Sequence, residues 1–170
     1  MLSTYFVIET GWNAMGKFLV VDDEPMICDV VTDCLQEWPD AEVDCALNGK
    51  LAAQKLRAVH YDLALIDGML PEISGIALAE IAANENTPVL LLSGHPDQNH
   101  AFQTFGYPYL PKPFALTQLL SESKRVIADA SENICRVKAA AARMQANTEA
   151  LKAAVAESQR LLGEIKAKGT

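Results

Sequence analysis

Phe18-Leu19-Val20-Val21-Asp22-Asp23-Glu24-Pro25 is the stretch on which the fold turns: four apolar residues, three acids and a proline. A short unbroken apolar run closed by polar residues reads as a strand covered on both faces. Pro25 suits the first turn of a helix, where its missing N–H leaves no bond unmade. Ile27, Val30, Val31 and Leu35 follow at helical spacing, and Trp38-Pro39 ends the segment. The stretch is therefore a strand, a turn bearing carboxylates, and a helix.

The same unit recurs along the chain. Residues 42–47 read as a second strand, after which Asn48 can cap a helix holding Leu51, Leu56 and Val59. Residues 63–66 form a third, closed by Asp67-Gly68 and Pro71. Ser74 then caps a helix through Ile76, Leu78 and Ile81 that ends at Asn84. Pro88 opens a fourth strand, 89–92. A poorly patterned helix over 97–105 is stopped by Gly106, residues 107–110 make a fifth strand, and Pro113 lets the last helix begin near Phe114. Strands alternating with helices and joined by right-handed crossovers predict an α/β fold: a doubly wound, flavodoxin-like, five-stranded parallel sheet of order 2-1-3-4-5.

Parallel strands bring their C-terminal ends to one edge, where ligands bind. Asp22, Asp23, Asp67, Ser93, Tyr109 and Lys112 all lie at or just past such ends. Asp67, presented by a turn, is a candidate nucleophile. Three carboxylates so close repel one another: a pair at ~4 Å in an effective dielectric of ~20 costs roughly 4 kcal/mol. A hard divalent cation relieves this, and Mg²⁺ favours a few carboxylates with phosphate oxygens and water. Lys112 supplies a compact cation for phosphate oxygens, and Ser93 a hydroxyl donor.

Taken together, Val20-Val21-Asp22-Asp23-Glu24-Pro25, Asp67-Gly68-Met69-Leu70-Pro71, Ser93-Gly94 and Tyr109-Leu110-Pro111-Lys112-Pro113-Phe114 resemble the receiver domain of two-component response regulators, over roughly residues 16–128. The resemblance implies a phosphoacceptor switch rather than a conventional enzyme. Asp67 would become 4-aspartylphosphate, receiving its phosphoryl group from a sensor histidine kinase or a histidine phosphotransfer protein. Asp23 and Asp67 would bind Mg²⁺ directly, Asp22 largely through water, and the Met69 backbone carbonyl would complete the protein ligands. Pro113 would follow a cis bond. Ser93 would follow the new phosphoryl oxygen and Tyr109 would move into the space it leaves, repacking the surface around the fourth helix and fifth strand. The chain departs from the family between Ser93 and Lys112, where 19 positions are about three fewer than usual. The output face lies there, so partner geometry does not transfer. His95, two residues past Ser93, is either a solvated loop histidine or a group that tunes phosphoryl lifetime.

Composition sets limits on partners. Half of the 170 residues are hydrophobic and the formal charge is −8, which argues against nucleic acid or an anionic membrane as main partner. No apolar run approaches the ~20 residues of a membrane span, and the first ten residues lack a basic secretory start, so a cytoplasmic protein is expected. Cys28, Cys34, Cys45 and Cys135 show no metal spacing and read as reduced thiols.

Three segments follow: an N-terminal extension over 1–15, the receiver over 16–128, and a helical extension over 129–170. In the last, Ile127, Ile134, Ala141, Thr148, Val155 and Leu162 share a heptad register with Ala130, Val137, Met144, Leu151, Ser158 and Ile165. This seam predicts either a coiled coil that makes a homodimer, or a hairpin broken near Asn147-Thr148. Seven basic residues face four acidic ones after Ser131, so the tail is about +3 and the rest about −11. Two other functions compete. One is a phosphatase of the haloacid dehalogenase type, whose nucleophile follows the first strand in an Asp-x-Asp pattern absent here. The other is a DNA-binding regulator acting through the basic tail, although no second helix-turn-helix unit accompanies it.

Overall fold

The computed structural model describes residues 16–168, with side chains described through 160 except that of 158. The N-terminal extension, and Ser158, Leu162 and Ile165 of the heptad seam, lie outside that description. The chain divides into two units, Met1–Ala130 and Ser131–Thr170.

In the first unit, strands β1 (Lys17–Val21), β2 (Glu42–Ala46), β3 (Leu63–Asp67), β4 (Val89–Ser93) and β5 (Tyr109–Pro111) alternate with helices α1 (Pro25–Leu35), α2 (Gly49–Ala58), α3 (Gly75–Asn84) and α4 (Pro96–Phe105), and α5 (Leu116–Lys168) follows. The sheet is parallel throughout, in the order β2-β1-β3-β4-β5. This is the doubly wound, flavodoxin-like arrangement that the strand–helix alternation predicts.

Side-chain alternation explains why the strands read as continuous apolar runs. Leu19, Val21, Ala64, Ile66 and Leu91 point to one face and pack with Ala52, Leu56, Leu78, Ala82 and Phe102 from α2, α3 and α4. Phe18, Val20, Leu63, Leu65, Leu90 and Leu92 point to the other and meet Cys28, Val31, Leu35, Leu119, Val126 and Ile127 from α1 and α5. Both faces are covered, so neither can be polar. Fully burying one such side chain contributes about 1.5–3 kcal/mol.

The caps follow the sequence. The Asn48 side chain accepts from the Leu51 N–H at 2.9 Å, and the Ser74 hydroxyl from the Ala77 N–H at 3.2 Å. The fifth strand differs: it begins at Tyr109 rather than at residue 107. The Tyr107 N–H is taken by the Phe102 carbonyl at the end of α4, so the ladder with β4 opens at the Pro108 carbonyl, which accepts from Leu91. The last helix starts at Leu116, two residues late. The Gln118 side chain reaches back to the Ala115 N–H, half of a capping box, and fixes Ala115 outside the helix. Cys28 and Cys34 are buried, Cys45 is partly buried, Cys135 is exposed, and all four are free. Burial pushes the Cys28 thiol up to about 12, which keeps it protonated.

Tyr61 is fully buried, and its hydroxyl donates to Asp44 Oδ2 at 2.7 Å, pinning the loop before β3 to β2. That bond, helped by Lys55, holds the Asp44 carboxyl below its ordinary 3.8. A carboxyl lowered on folding adds stability above its unfolded value and loses it as pH falls through its folded value. Tyr61→Phe is expected to cost about 1 kcal/mol at neutral pH. The difference from wild type should narrow as pH drops below about 4. Denaturant melts at pH 7 and pH 3 check this; a gap that widens in acid would contradict it.

Candidate functional site

The site is built from four neighbouring strand ends. β1 and β3 are adjacent, so Asp22 and Asp23, just after Val21, stand beside Asp67, the last residue of β3. Ser93 ends β4, and the Lys112 N–H donates to its carbonyl at 2.6 Å. The register of the sheet thus sets the ends of β1, β3, β4 and β5 side by side.

Asp22 and Asp67 are almost wholly buried, at 1% and 6% exposure, while Asp23 is exposed. One carboxylate oxygen from each of the three lies within 4.8 Å of the others. Lys112 Nζ donates to Asp22 Oδ2 at 2.8 Å and to Asp67 Oδ1 at 2.9 Å. The remaining oxygens are also held: Asp22 Oδ1 accepts from the Glu24 N–H at 3.0 Å and Asp67 Oδ2 from the Met69 N–H at 3.2 Å. The Lys112-Pro113 bond is cis.

The electrostatics of the cluster are unbalanced. Burial pushes the Asp67 carboxyl above its ordinary 3.8; Lys112 pulls it back and Asp22 adds to the rise. Burial also works against the Lys112 charge, but its bonds to Asp22 and Asp67 outweigh that and raise it. Three carboxylates against one ammonium leave the pocket two charges short of neutrality. Hard oxygen donors at this spacing suit a divalent cation. Asp23 and Met69 line the same open depression, with Gly68, Leu70, Pro71, Glu72 and Ser74.

Ser93 and Tyr109 stand to one side of this cluster. Ser93 is buried, and its hydroxyl donates to the His95 carbonyl at 3.0 Å, with Gln98 Oε1 at 3.4 Å. Tyr109 is half-buried and its hydroxyl accepts from Gln103 Nε2 at 2.7 Å. The His95 side chain caps α4: Nδ1 accepts from the Asp97 N–H at 3.3 Å. His95 is thus an exposed helix cap rather than a free loop residue.

Four residues of the site were not foreseen from the sequence. A Cβ at Gly75 would stand 2.7 Å from the Asp67 carbonyl and 2.9 Å from the Gly68 Cα, so only glycine lets the start of α3 press on the Asp67 turn. At Gly68 a Cβ would lie 2.6 Å from Phe102 Cζ and 3.1 Å from Gln98 Oε1. The signals were there, in a glycine directly after Asp67 and another after the Ser74 cap. Phe102 and Gln98 sit in the helix whose pattern is poorest.

Known proteins share the sequence and the fold of this unit. The family model of the response regulator receiver domain matches residues 18–124. The transcriptional regulatory protein CpxR homolog of Haemophilus influenzae is 34% identical over 131 residues, covering 73% of this chain and 57% of its own. The response regulator ArlR of Staphylococcus saprophyticus is 29% identical over 117 residues, covering 66% and 53%. This chain therefore spans little more than half the length of such curated relatives. The response regulator TrrA of Thermotoga maritima, solved in complex with Mg²⁺-BeF, superposes with a TM-score of 0.60 at 32% identity, covering 66% of this chain and 99% of that one. With the matched segment running from β1 into α5 and embracing every strand end of the acidic edge, this chain belongs to the response regulator receiver family of two-component systems.

Proposed function

We propose that Asp67 is the phosphoacceptor of this receiver, and that Asp23, Asp67 and the Met69 backbone carbonyl hold Mg²⁺, with Asp22 acting largely through water. The observation behind this reading is the Lys112 bridge between two buried carboxylates, with a third carboxylate at the mouth of the same pocket. Asp67 attacks the phosphorus of a phosphohistidine on a sensor histidine kinase or a phosphotransfer protein. The new O–P bond replaces the P–N bond, and the imidazole leaves with its electron pair and takes up a proton. Lys112 holds the incoming phosphoryl oxygens, and the Met69 N–H orients the carboxylate. When bound, Mg²⁺ would neutralise charge developing on those oxygens. Ser93 donates to a phosphoryl oxygen, and Tyr109 repacks behind it. No helix among the described residues is long and apolar enough to cross a membrane, in keeping with a cytoplasmic switch.

The tail supplies the output. α5 runs through Asn147-Thr148 without a break, so the hairpin is not formed. Val137, Met144 and Leu151 are 69%, 71% and 67% exposed, spaced seven apart, with Ile134 and Val155 on the same seam. We read the seam as pairing with a second copy. A parallel pair sets Lys138 and Lys152 opposite Asn133 and Asn147, whereas some antiparallel registers oppose lysine with lysine. The relatives named as transcriptional regulators are longer chains, and the DNA-binding reading of the basic tail is the weaker one.

With Mg²⁺ and acetyl phosphate, wild type is expected to gain the mass of one phosphoryl group, labile to hydroxylamine, and Asp67→Asn to gain none. Mg²⁺ at about a hundred times its Kd should stabilise wild type by about 2.7 kcal/mol. Asp23→Ala should lose that increment in a thermal melt. An unmodified wild type would sink the reading. For the tail, sedimentation equilibrium is expected to give a dimer for the full chain and a monomer for Met144→Asp combined with Leu151→Asp; a monomeric wild type at tens of micromolar would rule the pairing out.

A further inference from the structure

Helix α4 grips the site at both switch residues. The single proton of the Ser93 hydroxyl is shared between the His95 carbonyl at 3.0 Å and Gln98 Oε1 at 3.4 Å. One turn on, Phe102 is buried against Gly68, and its ring packs on Tyr109 with centroids 6.1 Å apart. Gln103 Nε2 then donates to the Tyr109 hydroxyl at 2.7 Å. Gln98 and Phe102 share one face of the helix, four residues apart. Gly68 is what admits that face, since a side chain there would meet Phe102 Cζ at 2.6 Å.

This arrangement has a chemical consequence. Phosphoryl oxygens accept hydrogen bonds and serine has one proton to give. Gln98 presents an acceptor oxygen to that proton, so it competes with a phosphoryl group rather than helping to bind one. Tyr109, likewise, cannot move without leaving both Phe102 and Gln103. We propose that Gln98 is a positioning residue that withholds the Ser93 proton, and that with Gln103 it makes α4 a restraint which the phosphoryl group must displace. The proposal rests on the reading of Asp67 as phosphoacceptor.

Beryllofluoride with Mg²⁺, a phosphoryl mimic, provides the test on the full chain, its affinity measured by titration calorimetry. Gln98→Met keeps the length of the side chain and removes the acceptor; it should bind the mimic about five-fold more tightly, the ratio a net hydrogen bond supplies. Gln98→Glu should bind it more weakly, because an anionic acceptor holds the serine proton harder and repels the mimic. In a Ser93→Ala background the gain from Gln98→Met should vanish, since the glutamine acts through that hydroxyl. Equal or weaker binding by Gln98→Met, or a gain that survives without the hydroxyl, overturns the restraint. A wild type that fails to bind beryllofluoride at all overturns the phosphoacceptor reading on which it stands.

Discussion

One ammonium group between two buried carboxylates organises this molecule. Lys112 reaches Asp22 and Asp67 because the parallel order brings the C-terminal ends of β1, β3 and β5 to one edge of the sheet. Removing one member of a buried ion pair costs about 3–5 kcal/mol, largely because the other charge is left uncompensated. The alignment of three strands is thus tied to a charge balance at their ends. The balance is incomplete, for Asp23 adds a third carboxylate with no cation of its own among the described side chains. That incompleteness is the physical basis for the proposed cation and for an anion that the cation would hold. A fully neutralised pocket would be more stable and would have nothing to respond with.

Much of this was legible because the local and global signals coincide. Apolar runs closed by Asp22 and Asp67, the caps Asn48 and Ser74, and Pro25 at a helix start each specify an element and its boundary at once. The carboxylates and Lys112 could be placed from topology alone, since parallel strands leave no choice about which edge their ends share. What escaped was set by particular bonds and close approaches that apolar periodicity does not report. The start of β5 depends on Tyr107 giving its N–H to α4, and the start of α5 on the reach of Gln118. Both bonds are short in sequence, five and three residues apart, and lie outside the apolar periodicity from which the elements were read. Gly75 could be seen only as a residue after a cap, until the Asp67 carbonyl appeared where its Cβ would be.

The fourth helix carries side chains that reach both Ser93 and Tyr109. Only 19 positions separate Ser93 from Lys112, yet the helix still has to cover Ile66 and Leu91 and return the chain to β5. It does so by lying close, with Phe102 against the backbone at Gly68 and His95 capping its first turn. Closeness brings Gln98 and Gln103 within reach of Ser93 and Tyr109. The coupling proposed between the acidic site and the outer face would therefore run through side chains of one helix, provided that helix has a second arrangement to move to.

The second unit obeys different energetics. The sheet and its helices are stabilised by burial on two faces, whereas the helix beyond Ser131 exposes its large aliphatic residues one after another. Alanine-rich sequence favours helix, and pairs such as Glu149–Lys152 and Glu157–Arg160 add about 0.2–0.5 kcal/mol each. Neither effect rewards placing aliphatic side chains every seven residues; propensity alone would be satisfied by alanine and glutamate there. The heptad spacing has a physical use only if another apolar surface of the same period covers it. A second copy has that period by construction, and the Lys/Asn pattern flanking the seam lets two copies meet without opposing like charges. The receiver's core is covered on both faces, whereas the tail's aliphatic seam is exposed. The two units thus differ in what stabilises them: burial on two faces in the first, and helix propensity with surface ion pairs in the second, whose exposed seam is the basis of the proposed pairing.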